Sequence, residues 1–232
     1  CNKSKEVIKI KSSSAFKQKI CFLIGFPRTG TTLLDTILRS HPMISVIEEE
    51  HLISNLEYIA RDKFDYEIEN IFNISEENLK ILRHQYIDSL KLHTDIKASL
   101  IIDKMPLNII YLPLIYILFP EAKIIFTYRH PYDTVLSCFQ QIFKPNQAMA
   151  NLRTIEEASF MYNQVMEGWE IYTKKLSMDF FTSKYESLIE DFDYHILKLL
   201  NFLFNKASQL KNYQQMDLGN INQLIQGKVK KT

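Results

Sequence analysis

Glycine is scarce in this chain, 5 among 232 residues, so a loop that holds two of them is a marked place. Cysteine is scarcer still. Cys1, Cys21 and Cys138 are too few and too irregularly spaced for a disulfide framework or a zinc site, and this usage suits a reducing, cytoplasmic setting. Neither sign of charge dominates, with 28 Lys and Arg against 27 Asp and Glu, so no nucleic-acid or anionic-membrane partner is indicated and any basic site must be local. The longest apolar stretch, Ile109 to Phe119, is interrupted by Pro113 and falls short of the roughly 20 residues of a membrane-spanning helix. It reads as buried helix. No apolar run near the start reads as a signal peptide, and a first residue of Cys rather than Met suggests a segment of a longer protein.

What is present is a core. At 46% hydrophobic the chain can bury one α/β domain, expected over residues 20–232, after a lysine- and serine-rich basic linker over 1–19. Apolar runs at Ile20 to Ile24, Ile44 to Ile47, Leu100 to Ile102, Lys123 to Tyr128 and Asp179 to Tyr185 predict strands. Helices are predicted between them: from Thr31 to Ser40, Glu48 to Arg61, Ser75 to His93, Tyr132 to Phe143 and Ser187 to Phe204. Ile155, Ala158, Tyr162, Val165, Trp169, Tyr172 and Leu176 recur at three- and four-residue steps, the core stripe of a further long helix. Strands alternating with helices predict a three-layer fold, a central parallel sheet flanked by helices.

The two close glycines are Gly25 and Gly30, in a loop between the first strand and the first helix. G-x-x-x-x-G there is the spacing of a P-loop, whose backbone N–H groups and following helix N-terminus cradle an anionic group. Nucleotide triphosphatases place a lysine after the second glycine. This chain has Thr31 there, and the loop's only cation is Arg28, a planar, permanently charged donor. Leu100 to Asp103 resembles the apolar strand and aspartate that hold magnesium in such enzymes, so a magnesium-dependent P-loop phosphotransferase stays as the alternative.

Pro27-Arg28-Thr29-Gly30-Thr31-Thr32-Leu33-Leu34 followed by His41-Pro42 resembles the P-R-S-G-T-T-L…H-P signature of sulfotransferases that use 3′-phosphoadenosine 5′-phosphosulfate (PAPS), with Thr29 where serine is usual. Asp103-Lys104-Met105-Pro106, Arg129-His130-Pro131 with Ser137, and Tyr185-Glu186-Ser187-Leu188 follow in family order. The pattern is most similar to tyrosylprotein sulfotransferases and to bacterial sulfotransferase domains that follow tetratricopeptide repeats, so such repeats are an expected N-terminal partner.

The resemblance implies a transferase moving sulfuryl from PAPS, with no metal, to a hydroxyl acceptor such as protein tyrosine or a carbohydrate. Pro27, Arg28, Thr29, Gly30, Thr31 and Thr32 would hold the 5′-phosphosulfate, Arg129 and Ser137 the 3′-phosphate, and Tyr185 would touch the nucleotide. Lys104 would stabilise the leaving oxygen. The general base implied lies eight residues after His41, at Glu49, with Glu48 and His51 as alternatives; an acidic helix start favoured by the helix dipole would equally explain Glu48 to Glu50. The family continues into a segment that closes over the nucleotide, and Gly227 to Thr232 would only begin it. That segment is expected to be missing or truncated, which keeps a non-catalytic nucleotide-binding module as a third reading.

Overall fold

A computed structural model describes residues 18–66, 68–94, 98–141, 152–204 and 216. The expected linker, apart from residues 18 and 19, and the C-terminal lysines lie outside them. Five strands form one sheet: β1 (Lys19–Gly25), β2 (Ile44–Glu48), β3 (Leu100–Lys104), β4 (Lys123–Tyr128) and β5 (Asp179–Lys184). Their spatial order is β2-β3-β1-β4-β5 and every pairing is parallel. All five residues of β3 are buried, as a central strand covered on both faces requires.

The faces are covered unequally. On one side lie α1 (Thr31–Arg39), α7 (Tyr185–Glu190) and α8 (Phe192–Phe204), packing Leu33, Leu34, Ile37, Leu188, Leu199 and Leu203 against Leu23 and Ile125. On the other lie α2 (Leu52–Phe64), α3 (Glu76–His93), α4 (Leu112–Leu118), α5 (Pro131–Phe139) and α6 (Ile155–Lys175). The α6 stripe serves as core: Trp169 stacks on Phe126 at 3.9 Å between ring centroids, and Tyr162 meets Phe26 edge-on at 5.2 Å. Ile155, at its start, stays exposed. Ser75 and Thr154 cap α3 and α6, each hydroxyl accepting from the backbone N–H three residues on.

The larger departures from the predicted boundaries are at four places. β2 runs on through Glu48 because it pairs with Lys104, so α2 begins at Leu52 and has no acidic residue in its first turn. The Ile109 to Phe119 stretch is divided into a 3-10 turn over Pro106–Tyr111 and then α4, with Pro113 in α4's first turn, where a missing N–H is harmless. The last predicted helix breaks at Asp191, which leaves helical geometry (φ −140°, ψ 75°), giving α7 and α8. α5 stops at Phe139; the remainder of its predicted length reaches residues outside those described.

Candidate functional site at the carboxyl edge of the sheet

In a parallel sheet all strands end on one edge, and the order β3-β1-β4 places the end of β1 where the connections diverge, the place open α/β sheets use for ligands. Gly25 ends β1 with no room for a side chain: a Cβ there would lie 2.5 Å from the Thr127 carbonyl oxygen on β4. The loop then turns through two left-handed residues, Arg28 (φ 70°) and Gly30 (φ 96°). An arginine held there costs roughly 1–2 kcal/mol of local strain. Gly30 caps α1, whose first N–H groups have no partner inside the helix, so the loop and helix start present donors and a positive dipole end.

The loop is braced from beneath. Thr29 is buried, and its hydroxyl lies 2.6 Å from the Phe26 carbonyl and 2.8 Å from the Thr127 hydroxyl. That hydroxyl is engaged within the protein. Pro27 is buried, its carbonyl accepting from the Cys138 thiol at 3.4 Å. Thr31 is buried and Thr32 exposed. Arg28 is exposed and donates through Nε to Ser137 Oγ at 3.1 Å, which joins the loop to α5. Among the described residues Arg28 has no recorded ion pair.

Arg129 follows β4. Its guanidinium carbon lies 4.9 Å from the centroid of the Tyr185 ring, and its nearest carboxylate, on Asp133, is 3.8 Å from Nε. Nε is buried without a hydrogen-bond partner among the described residues. Tyr185, the first residue of α7, sits against the loop: a Cβ on Gly30 would come within 2.6 Å of its Cδ2. Glu186 Oε1 accepts from the His130 backbone N–H at 2.9 Å.

The ends of β2 and β3 form the other half of the edge. Lys104 is not a loop lysine. It is the last residue of β3 and wholly buried, its Nζ 2.7 Å from Glu49 Oε1, 3.2 Å from Glu48 Oε1 and 3.8 Å from Asp35 Oδ2. Glu49 adopts a left-handed backbone (φ 55°) and donates its N–H to the Lys104 carbonyl at 2.8 Å. The acidic run is thus a strand end bent over a lysine, not a helix start. Arg39 closes the cluster, donating to both oxygens of Asp35 and, at 3.2 Å, to Glu48 Oε2. Burial pushes the Asp35 carboxyl up from the ordinary aspartate range, against the opposing pull of Arg39 and Lys104. His51 stands at the start of α2 with its Nδ1 3.5 Å from the Ser54 hydroxyl.

The predicted residues therefore form two contacting groups: Arg28 with Ser137 and Gly30 with Tyr185 and Arg129, and separately Glu49 with Glu48 and Lys104. Helix α1 connects them, since it starts at the loop and carries Asp35 to Lys104. Sequence reading missed Asp35, Arg39 and Glu186. The four-residue spacing of Asp35 and Arg39 on a predicted helix was the available signal, and such pairs are usually solvated surface. Asp103, the candidate magnesium ligand, is fully buried in the core with Oδ2 accepting from the Tyr86 hydroxyl at 2.9 Å. His41 of the His-Pro pair is also internal, stacked 5.1 Å from Phe204.

The fold and its edge define a P-loop-type α/β domain whose first loop carries Arg28 and has Thr31 after its second glycine. A model of the sulfotransferase family matches residues 21–204, and the chain belongs to that family. An uncharacterized protein of Aquifex aeolicus (strain VF5) is 28% identical over 208 residues, 84% of this chain and 27% of its own length. Nodulation protein NoeE of Sinorhizobium fredii (strain NBRC 101917 / NGR234) is 32% identical over 134 residues, 51% of this chain and 30% of its own. The chain thus spans under a third of the length of these curated relatives. Sulfotransferase STF9 of Mycobacterium avium shares the fold, with TM-score 0.55 at 13% identity over 88% of this chain and 68% of that one. STF1 of Mycobacterium tuberculosis H37Rv does so too, with TM-score 0.55 at 15% identity over 87% and 71%.

Proposed function

We propose that the domain transfers a sulfuryl group from PAPS to a hydroxyl acceptor, a protein tyrosine or a carbohydrate. Family membership supports the transfer chemistry, and the residues fit the donor. The left-handed turn at Gly30 and the start of α1 that it caps offer backbone N–H groups for the 5′-phosphosulfate. Arg129, whose buried Nε has no hydrogen-bond partner among the described residues, and Ser137 would take the 3′-phosphate. Bound there, PAPS supplies the sulfuryl group on a phosphate leaving group. Arg28 and the helix start meet the negative charge of that end, and Lys104 brings a second cation to the reacting side.

Glu49 is the general base in this reading. It takes the acceptor's proton on a carboxylate that is half exposed and, among the described residues, ion-paired with Lys104 alone, whereas Glu48 is held by Lys104 and Arg39 together. The observation that carries the reading is this 2.7 Å Glu49–Lys104 pair at the edge where the loop opens. The phosphotransferase alternative loses its magnesium ligand, because the Asp103 carboxylate is bonded to Tyr86 inside the core. The buried free thiols of Cys21 and Cys138 suit the proposed cytoplasmic setting, and no helix of the described residues is long and apolar enough to cross a membrane.

Calorimetry with 3′-phosphoadenosine 5′-phosphate (PAP), with and without EDTA, tests the donor. Binding that persists without metal, with transfer of labelled sulfate from PAPS to a hydroxyl compound, is the expected result. Magnesium-dependent ATP binding with no response to PAP overturns it, and PAP binding without transfer or slow PAPS hydrolysis leaves a binding module.

A further inference from the structure

Three segments meet around the two proposed phosphate sites: the loop after β1, the turn after β4 and the start of α7. Only α7 touches both of the others through consecutive side chains. Tyr185 presses one part of its ring against Gly30, where the 2.6 Å clearance leaves no room for even a methyl group, and carries the Arg129 guanidinium 4.9 Å from its centroid. Glu186 takes the next backbone N–H along, that of His130, in a charge-assisted bond of 2.9 Å. Its other oxygen is buried with no partner among the described residues. A half-desolvated carboxylate beside a site for phosphates is unfavourable for binding anions by charge alone, so its contribution is geometric.

We infer that Glu186, with Tyr185, is a positioning device that fixes the spacing between the 5′-phosphosulfate loop and the 3′-phosphate turn, and so sets the preference for an adenosine nucleotide phosphorylated at both ends. The inference rests on the PAPS reading above. Tyr185 sets the loop's backbone and the aim of Arg129; Glu186 pins the peptide that carries Arg129. The tyrosine therefore serves both sites and the glutamate the 3′ site alone. Neither needs to touch the nucleotide to act.

The test uses the full chain and two probes, PAP and adenosine 5′-monophosphate, which lacks the 3′-phosphate. Wild type prefers PAP. Glu186→Ala lowers PAP affinity on the order of tenfold and leaves adenosine 5′-monophosphate nearly unchanged, since only the bond fixing the 3′ turn is lost. Glu186→Gln, which keeps an acceptor oxygen for the His130 N–H, restores most of the preference. Tyr185→Ala weakens both probes. Thermal melts of each variant separate loss of folding from loss of preference. If Glu186→Ala and Glu186→Gln keep the wild-type preference, or both lose the two probes equally, the positioning role is overturned while the donor reading stands. A wild-type protein that does not prefer PAP overturns the donor reading, and this inference with it.

Discussion

The two halves of the carboxyl edge hold their charges in opposite ways. Around the loop the cations are under-compensated: Arg28 contacts a serine hydroxyl, and Arg129 lies over a tyrosine ring with its nearest carboxylate 3.8 Å away. At the ends of β2 and β3 two cations, Lys104 and Arg39, are knitted to three carboxylates at 2.5 to 3.8 Å. The first half keeps donors ready for a ligand that brings its own negative charge. The second has its cations compensated in advance and can hold a lysine with no solvent contact, which an isolated ammonium could not tolerate. In the proposed function binding and proton transfer therefore fall to different halves of this edge, and mutation of each half tests that division.

The sharpest break is expected at Glu49. Glu49→Gln keeps the shape and a bond to Lys104 but removes the proton acceptor, so the rate of sulfuryl transfer should fall by about 10²- to 10⁴-fold while PAP affinity in calorimetry holds. Glu48→Gln, at a carboxylate already shared by two cations, should cost the rate far less. A reversed order would move the base to Glu48, and loss of PAP binding in both would show the two halves to be one unit.

Gly30→Ala attacks the other half. The residue needs φ near 96° and its Cβ would collide with Tyr185, so the loop must shift to accept it. PAP affinity should drop by roughly tenfold or more, the cost of placing an L-residue in left-handed geometry, and transfer at saturating donor should fall less. An alanine variant that binds PAP as wild type does would mean that Tyr185 is not a fixed wall of the loop.

Much of the loop half of the edge was legible in the sequence. Glycine scarcity marked Gly25 and Gly30, the missing lysine marked Arg28, and a strand end followed by Arg129-His130-Pro131 placed the second arginine on the same edge. The other half was legible as residue types but not as structure. Glu48 to Glu50 in isolation satisfy the rule for a helix start, and only pairing with β3, a contact 55 residues away in sequence for Glu49 and Lys104, makes them a strand end. Burial of Lys104 was hidden for the same reason: a lysine after Leu-Ile-Ile-Asp reads as the solvated end of a strand until Asp35 on α1 and the two glutamates are brought over it. Thr29 shows the limit within a motif, since nothing in Arg28-Thr29-Gly30 tells that its hydroxyl reaches Thr127 on the far side of the loop.

The smallest expected effect separates charge that is compensated from charge that is merely buried, and it lies one residue before Lys104. Asp103 is fully buried, its one recorded bond comes from Tyr86, and burial pushes its carboxyl up to about 7. The group is raised above its unfolded value of 3.8, so the folded protein holds the proton more tightly than the unfolded chain between those limits. The stability this contributes is complete below about pH 4 and is lost as pH rises through 7. Asp103→Asn imitates the neutral acid at every pH and keeps an oxygen for the Tyr86 hydroxyl. Thermal melts should therefore show the variant gaining on wild type from pH 5 to pH 8, with transfer activity little altered because the residue lies in the core. An equal offset at both pH values would place the Asp103 charge in a compensated setting like that of Lys104, and the contrast between neighbouring residues of β3 would disappear.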